Sequence, residues 1–200
     1  MVVERGPRLA APALQQLVSE LPPTECRRIQ HLHRWQDRQD SAIGWRLLQQ
    51  LAAGRGVTVR RGVNGRPGTD PPVDVSLSHS GGWIAVGLCG TGRIGVDVET
   101  LREVSPSLAR RCLSTAELAW LDRAGPGEPR SLRFARLWTA KEAYLKATGV
   151  GLRTDPRDVG IDHTGDAPRL VGPASGSWRF SSSAPAPGVC VTVCVEGGAP

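Results

Sequence analysis

Residues 73–98 read VDVSLSHSGGWIAVGLCGTGRIGVDV, and the fold turns on how this stretch is read. Three apolar runs, Val73–Leu77, Trp83–Leu88 and Ile94–Val98, are rich in valine and isoleucine and separated by glycines, the pattern of short strands joined by tight turns. The spacing changes on both sides. Upstream, Thr24 is placed to cap a helix running to Trp35, with Ile29 and Leu32 on its buried side. Asp40 or Ser41 can cap a second helix in which Ile43, Leu47 and Leu51 recur every four residues before Gly54. A turn-rich segment, RGVNGRPGTDPP (61–72), leads into the strands. Downstream, Ser114-Thr-Ala-Glu117 is a capping-box pattern ahead of a short helix. Ser131 is placed to cap the longest helix, which Gly149 closes after Thr148; the last fifty residues read as strands and turns ending in VCVTVCV (189–195). Helices and strands come in clusters rather than strict alternation, which predicts an α+β fold. The least structured joint, around residues 90–105, predicts two halves, 1–92 and 93–200.

The 200 residues suffice for one ordinary domain or two small ones. With 40% hydrophobic and 22% charged residues the chain is globular, neither collagen-like nor wholly disordered. No run of about 20 predominantly apolar residues exists, so a membrane-spanning helix is excluded, and the first residues lack the unbroken apolar core of a signal peptide. A cytoplasmic protein is expected. Cys26, Cys89, Cys112, Cys190 and Cys194 match no zinc or disulfide spacing. In a strand, Cys190 and Cys194 stand about 13 Å apart, beyond the roughly 7 Å that a disulfide allows between Cα atoms, so reduced structural cysteines are expected.

The formal net charge is +6, and it is uneven. Residues 27–66 carry nine arginines against Asp37 and Asp40, an excess that suits either an anionic ligand or a solvated face. Arginine is also the habit of this chain. The only lysines are Lys141 and Lys146, in WTAKEAYLK (138–146), which marks that segment, because a compact ammonium does not replace a guanidinium fork.

Three motifs carry chemistry. On a strand, alternation puts Asp97 and Glu99 on one face, where two like charges call for a compensating cation; Mg²⁺ takes one or two carboxylates and completes its shell with water and phosphate oxygens. A solvent-facing acidic sheet edge is the plain alternative. On the long helix, Glu142 and Lys146 are four apart and share a face, with Trp138 and Lys141 one turn earlier; this is a surface salt bridge, or a third metal carboxylate or base with phosphate-binding lysines. Ser76-Leu-Ser78-His79-Ser80-Gly81-Gly82 offers hydroxyls, an imidazole and glycine-exposed amides, either a phosphate cradle or a polar hairpin turn.

Leu77-Ser-His-Ser80-Gly, Gly95-Val-Asp97-Val-Glu99 and Trp138-Thr-Ala-Lys141-Glu142-Ala-x-x-Lys146, in this order and spacing, resemble the 4′-phosphopantetheinyl transferases of the surfactin-synthetase-activating type, and Gly65-Arg66-Pro67 is similar to that family's Gly-Lys-Pro turn. The resemblance covers roughly residues 24–152. It implies transfer of the phosphopantetheine arm of coenzyme A to a serine of an apo acyl or peptidyl carrier protein, releasing adenosine 3′,5′-bisphosphate. It further implies that Asp97, Glu99 and Glu142 hold Mg²⁺ on the pyrophosphate, with Asp97, Glu142 and Lys146 catalytic. Lys141, Lys146, His79 and Ser78 would contact phosphate oxygens, Arg66 and Pro67 the adenine side, and Arg28 and Ser41 the 3′-phosphate. The implied fold is a pseudo-dimer of two similar α+β halves with coenzyme A between them. The implied partner is an acidic carrier protein met by a monomer, with no nucleic acid or membrane involved.

Two positions depart from the pattern. Arg66 stands where lysine is usual, and Asp40 stands where many relatives have a phosphate-binding arginine, leaving Arg38, Arg46 or Arg28 to compensate. Glu117 aligns with a family glutamate, and the capping box accounts for it. A Mg²⁺-dependent nuclease would want similar residues, but its lysines usually sit on a strand beside the acids, and the positive charge here is not interleaved with aromatics. A non-catalytic binding module for coenzyme A or an acidic partner would not need three carboxylates.

Overall fold

The computed structural model describes residues 1–62, 65–165, 167–172 and 177–197; Val63 and Asn64 of the turn-rich segment lie outside them. The fold is mixed α+β. The N-terminal part runs β1 (Val2–Arg5), α1 (Ala11–Ser19), α2 (Pro23–Gln30), α3 (Trp35–Ala53), the two-residue strands β2 (Arg60–Arg61) and β3 (Pro67–Gly68), β4 (Asp74–Ser80) and β5 (Trp83–Cys89). The C-terminal part runs β6 (Ile94–Thr100), α4 (Pro106–Cys112), α5 (Thr115–Asp122), α6 (Arg130–Thr148), two 3₁₀ turns, β7 (Gly160–Asp162), β8 (Arg169–Val171), β9 (Trp178–Ser183) and β10 (Val189–Glu196). Each part holds a three-stranded antiparallel sheet, ordered β1-β5-β4 and β6-β10-β9. Among the described residues no helix is long and apolar enough to cross a membrane.

Alternation along the strands assigns the faces. Val75, Ile84 and Val86 pack under α3 with Ala42, Trp45, Leu48 and Ala52. On the other side of the same sheet, Ala85 joins Ile94, Val96, Val98, Val189 and Val191 in a cluster shared by the two sheets. The face of β6 opposite this cluster meets α6. Gly95 is the reason that helix can come so close: a Cβ there would stand 2.6 Å from the Ala147 amide nitrogen and closer still to the Ala143 carbonyl oxygen. Gly81 and Gly82 both take positive φ, 57° and 81°, and make the two-residue turn between β4 and β5.

The strands β4 and β6 lie side by side with no backbone ladder between them. Side chains of β4 bridge the gap: Asp74 Oδ2 accepts the Ile94 amide at 2.9 Å, Ser76 Oγ the Val96 amide at 3.0 Å, and Ser80 Oγ the Thr100 amide at 3.3 Å. A seam of alternate polar residues therefore joins the two parts.

Several helix boundaries differ from those read in the sequence. α2 starts at Pro23, whose fixed φ suits the first position of a helix, and stops at Gln30, so Thr24 is inside it. α3 starts at Trp35 and runs without a break through Asp40 and Ser41, which are buried in its interior rather than capping it. Its deepest face is Ala42, Trp45, Leu48 and Ala52; Leu47 and Leu51 are only partly buried against it. Pro129, not Ser131, stands at the entrance of α6. β1 and α1 carried no periodic signal long enough to read. The capping box on α5 forms as expected, Gly149 closes α6 with φ 71°, and all five cysteines are free. Burial pushes the Cys194 thiol up to about 12, which makes it inert.

Candidate active site

The sheet edge at the seam and the inner face of α6 bring four charged groups together. Asp97 is 4% exposed on β6. Its Oδ1 accepts from Lys146 Nζ at 2.6 Å and from Ser78 Oγ at 2.7 Å, while its Oδ2 is buried with no hydrogen-bond partner among the described residues. Lys146 also donates to the Val96 carbonyl at 3.1 Å. Two residues along β6, Glu99 accepts from Ser80 Oγ at 2.7 Å. Burial, and then the Asp97 charge, push the carboxyl of Glu142 above the ordinary carboxylate range; Lys146 works against this and Glu99 adds to it. The Glu99 carboxyl is likewise raised, first by burial and then by Asp97, against the bond from Ser80. Three acids thus crowd one lysine, and one buried carboxylate oxygen has no hydrogen-bond partner among the described residues.

Hard carboxylate oxygens in this state are the donor set Mg²⁺ takes. Among the described residues no three His, Cys, Asp or Glu side chains already form a closed metal cage. An ion that draws only one or two ligands from protein and the rest from water and phosphate does not require one. The residues fit the metal.

The raised carboxyls have a consequence for stability. A carboxyl raised in the folded state contributes stability in full below its ordinary value of 4.5, and that contribution is lost as pH rises through the folded value. Wherever Glu142 is ionised, its burial beside Asp97 and Glu99 therefore strains the fold. Glu142→Gln is expected to raise Tm at pH 7 in metal-free buffer by roughly 2–4 °C, the shift that about 1 kcal/mol produces in a chain of this size, and to lose that gain at pH 4. Scanning calorimetry at both pH values checks it; an unchanged or lower Tm at pH 7 would refute the charge crowding.

Beside these groups opens a cleft of about 470 Å³, walled by Arg28, Ser41, Arg66, Pro67, Ser78, His79 and Lys146. The helix α2, the β2–β3 hairpin, β4 and the end of α6 each supply part of it. His79 Nε2 lies 3.3 Å from Ser41 Oγ. Burial holds the His79 imidazole below its ordinary value, with Asp40 opposing and Lys146 assisting, so the ring is neutral at pH 7. Arg66 is less available than its position suggests: it grips Asp74 with both terminal nitrogens, at 2.7 and 2.8 Å, and donates to the Ile94 carbonyl.

Arg61 lines the same cleft and was not picked out in the sequence. It pairs with the fully buried Glu25, donates to the Gly65 carbonyl, and sits over the Trp45 ring at 4.7 Å. Burial alone would push the Glu25 carboxyl up; bonds from Arg61 and Arg28 outweigh it and hold the carboxyl below its ordinary value. The result is a rigid basic corner. The signal available was the doublet Arg60-Arg61 just before the Gly65-Arg66-Pro67 turn, but nothing local says which arginine faces inward.

Four expectations are corrected. Lys141 is not at the cleft: it is 0% exposed, donating to Glu117 Oε2 at 2.8 Å and to the Pro156 and Val159 carbonyls at 2.8 and 2.6 Å. The capping box does not account for Glu117 in full, since its Oε1 also accepts the Ile161 amide at 2.9 Å. The serines of the Ser76–Gly82 stretch spend their hydroxyls on the seam and on Asp97 and Glu99, so the stretch is not a free phosphate cradle. Asp40, standing where an arginine was expected, lines a separate hollow rather than the first cleft. The basic run is also largely neutralised: Arg28 and Arg61 pair with Glu25, Arg46 with Glu20, Arg60 with Asp70, and Arg66 with Asp74.

The family model of the 4′-phosphopantetheinyl transferase superfamily matches residues 93–194. The 4′-phosphopantetheinyl transferase HetI of Nostoc sp. is 35% identical over 125 residues, 61% of this chain and 51% of that protein. The 4′-phosphopantetheinyl transferase pptA of Paxillus involutus is 30% identical over 181 residues, 76% of this chain and 68% of that protein. A holo-(acyl-carrier-protein) synthase from Bacillus anthracis, solved in complex with CoA (3′,5′-ADP), aligns with 53% of this chain and 96% of that one at 25% identity and a TM-score of 0.44. The chain spans about half the length, or less, of several curated relatives: 45%, 38% and 51%.

Proposed function

The chain belongs to the 4′-phosphopantetheinyl transferase superfamily, and from that premise we propose that it transfers the phosphopantetheine arm of coenzyme A to a serine hydroxyl of an apo carrier protein, releasing adenosine 3′,5′-bisphosphate. The observation that carries this reading is the group formed by Asp97, Glu99, Glu142 and Lys146, joined through Ser78 and Lys146 to an arginine-walled cleft. The cleft suits the nucleotide end of coenzyme A, with the basic corner of Arg28 and Arg61 toward its phosphate.

The chemistry asks for charge neutralisation, in-line positioning and a proton acceptor. Asp97, Glu99 and Glu142 would hold Mg²⁺, which when bound neutralises the pyrophosphate. Lys146, already fixed on Asp97, offers its remaining donor to a phosphate oxygen. His79, neutral and partly buried, donates a hydrogen bond there without adding charge. The serine oxygen forms the new bond to phosphorus, the bond from that phosphorus to the bridging oxygen breaks, and the adenosine bisphosphate leaves with the electron pair. The serine proton needs an acceptor at the same place, and the Glu142 carboxylate, on the face of α6 beside Lys146, is the side chain proposed for it.

On this reading, residues 1–92 and 93–200 are two similar halves. Support comes from their common build: each carries a three-stranded antiparallel sheet and a 19-residue helix. A monomer acting in the cytoplasm goes with this reading.

The test is to mix the full chain with coenzyme A, MgCl₂ and a panel of apo acyl and peptidyl carrier proteins and weigh the products. A carrier heavier by one phosphopantetheine is expected; a folded enzyme that modifies none of them overturns the reading. Lys146→Arg discriminates further. A guanidinium is wider than an ammonium and displaces the pyrophosphate from line, and such misplacement costs about 100-fold in rate. If Lys146 served only as a salt-bridge partner of Asp97, arginine would do as well and turnover would not change.

A further inference from the structure

Glu142 rides on α6, whereas Asp97 and Glu99 are fixed on β6. The three acids share one place only if the helix is held along the strands as well as against them. Its contact with β6 does the second of these. Ala143 and Ala147 lie against Gly95 and pack with Cys194, which lets helix and sheet come close. Side chains this small raise no ridge to lodge in a groove, so they leave the helix poorly held against sliding.

A buried line of hydroxyls crosses the same interface. Thr139 of α6, three residues before Glu142, is fully buried, and so is Thr192 of β10, the residue directly opposite Asp97. Their Oγ1 atoms are 2.8 Å apart. Thr192 Oγ1 is also 2.8 Å from the Oγ of Ser182, its opposite on β9. Each hydroxyl has one proton to give. Thr139 gives its own to the Arg136 carbonyl at 3.3 Å, so Thr192 donates to Thr139 and Ser182 to Thr192. The line is complete, with every member satisfied. At its helix end Thr139 Oγ1 also lies 3.5 Å from the thiol of Cys190, the residue opposite Glu99.

Valine has the shape of threonine and would fill both places without burying a hydroxyl, which costs free energy unless it is bonded. What valine lacks is direction. A hydroxyl bond confines its two oxygens to a separation of about 2.5–3.0 Å, whereas apolar surfaces slide. Thr139 and Glu142 are about 4.5 Å apart along the helix axis, so fixing one fixes the other. Lys146 also reaches the sheet, but on a flexible stem that follows a shift of the helix. We propose that Thr139 and Thr192 are positioning residues, whose hydroxyl bond sets α6 along β10 and β6 and holds the Glu142 carboxylate in register with Asp97 and Glu99 for a shared metal ion. This rests on the transferase reading and extends it to two residues that line neither the cleft nor the separate hollow beside Asp40.

The experiment compares the full chain with Thr139→Val, Thr192→Val, Thr139→Ser and Glu142→Gln, and with each valine variant combined with Glu142→Gln. Steady-state transfer is measured with coenzyme A and carrier varied in turn. Mn²⁺ affinity is measured separately by electron paramagnetic resonance, with coenzyme A present and carrier absent. Either valine variant is expected to lower kcat about tenfold and weaken Mn²⁺ binding about fivefold, as a small misplacement does, with KM for coenzyme A unchanged. Tm should fall by no more than about 4 °C, the scale of one lost hydrogen bond. Thr139→Ser, which keeps the hydroxyl, should restore turnover and affinity. In the Glu142→Gln background, Thr139→Val should leave Mn²⁺ affinity unchanged, because the carboxylate it places is gone. Equal weakening in both backgrounds makes the threonines mere braces of the fold and overturns the proposal, as does wild-type turnover and affinity in both valine variants; either leaves the transferase reading standing. If Thr139→Val does not fold, Thr192→Val decides in the same way, and collapse of both overturns it. A wild-type chain that modifies no carrier overturns the transferase reading, and Mn²⁺ affinity alone then supports or overturns the hold on α6. A wild-type chain that binds no Mn²⁺ overturns both.

Discussion

Asp97→Ala is expected to lower the rate of phosphopantetheine transfer by about a thousandfold or more, the scale seen when a preorganised charge-stabilising group is removed from a reaction centre. Three functions meet on this one carboxylate. Its Oδ1 fixes Lys146 at 2.6 Å and Ser78 at 2.7 Å, and its Oδ2, buried and unpartnered, is the oxygen best placed to accept a cation. The fold should survive. Asp97 raises the carboxyls of both Glu99 and Glu142, so its removal relieves repulsion there, and Lys146 keeps the Val96 carbonyl and is partly exposed to solvent. Turnover by intact-mass kinetics and thermal melting, run together, check this. Near-wild-type turnover at saturating Mg²⁺ would remove Asp97 from the proposed machinery, whereas a collapse of Tm would make it a structural residue.

Lys141→Ala should do the reverse, destroying stability first. Its ammonium is fully buried and satisfied by three acceptors, from α5, from the second 3₁₀ turn and from Val159 just before β7. Truncation leaves the Glu117 carboxylate buried without a counter-charge, which costs roughly 3–5 kcal/mol and lowers Tm by about 10 °C or more in a chain of this size. Lys141→Arg fares little better, because the acceptors converge on a single nitrogen in a space with no exposure. Glu117→Gln keeps the capping bond but strands the lysine. Removing both charges together, Lys141→Met with Glu117→Gln, should recover part of the loss, because a buried pair is costlier to halve than to replace. A phosphate-binding lysine would behave otherwise: the single variant would melt like wild type and show its defect in KM for coenzyme A.

The contrast between the two lysines marks how far the sequence could be read. Alternation along β6 and four-residue spacing along α6 were enough to align Asp97 and Glu99, and Glu142 and Lys146, because those are relations within one element. Lys141 precedes Glu142 by one residue and so points about 100° away around the helix. What it meets there, Glu117 and the carbonyls of Pro156 and Val159, is supplied by segments distant in the chain. Arg61 and Arg66 present the same difficulty: charge can be counted along a sequence, but whether an arginine is spent on a buried acid depends on tertiary placement. The three central strands were legible from their valine and isoleucine runs. The entrance of α3 was not, because Asp40 and Ser41 carry the side chains of helix caps but are buried facing His79 and the second hollow.

The seam between β4 and β6 has a consequence for heredity. A backbone ladder tolerates nearly any side chain, so two parts joined by one can drift in sequence without coming apart. Here the join is made by Asp74, Ser76, Ser78 and Ser80, and two of these four also hold Asp97 and Glu99. A mutation at Ser78 or Ser80 therefore loosens the union of the two parts and disturbs an acid of the proposed reaction centre in the same step. Selection acting on turnover alone keeps the parts together, and a lineage that lost the need for the reaction would be expected to lose this join among its first casualties.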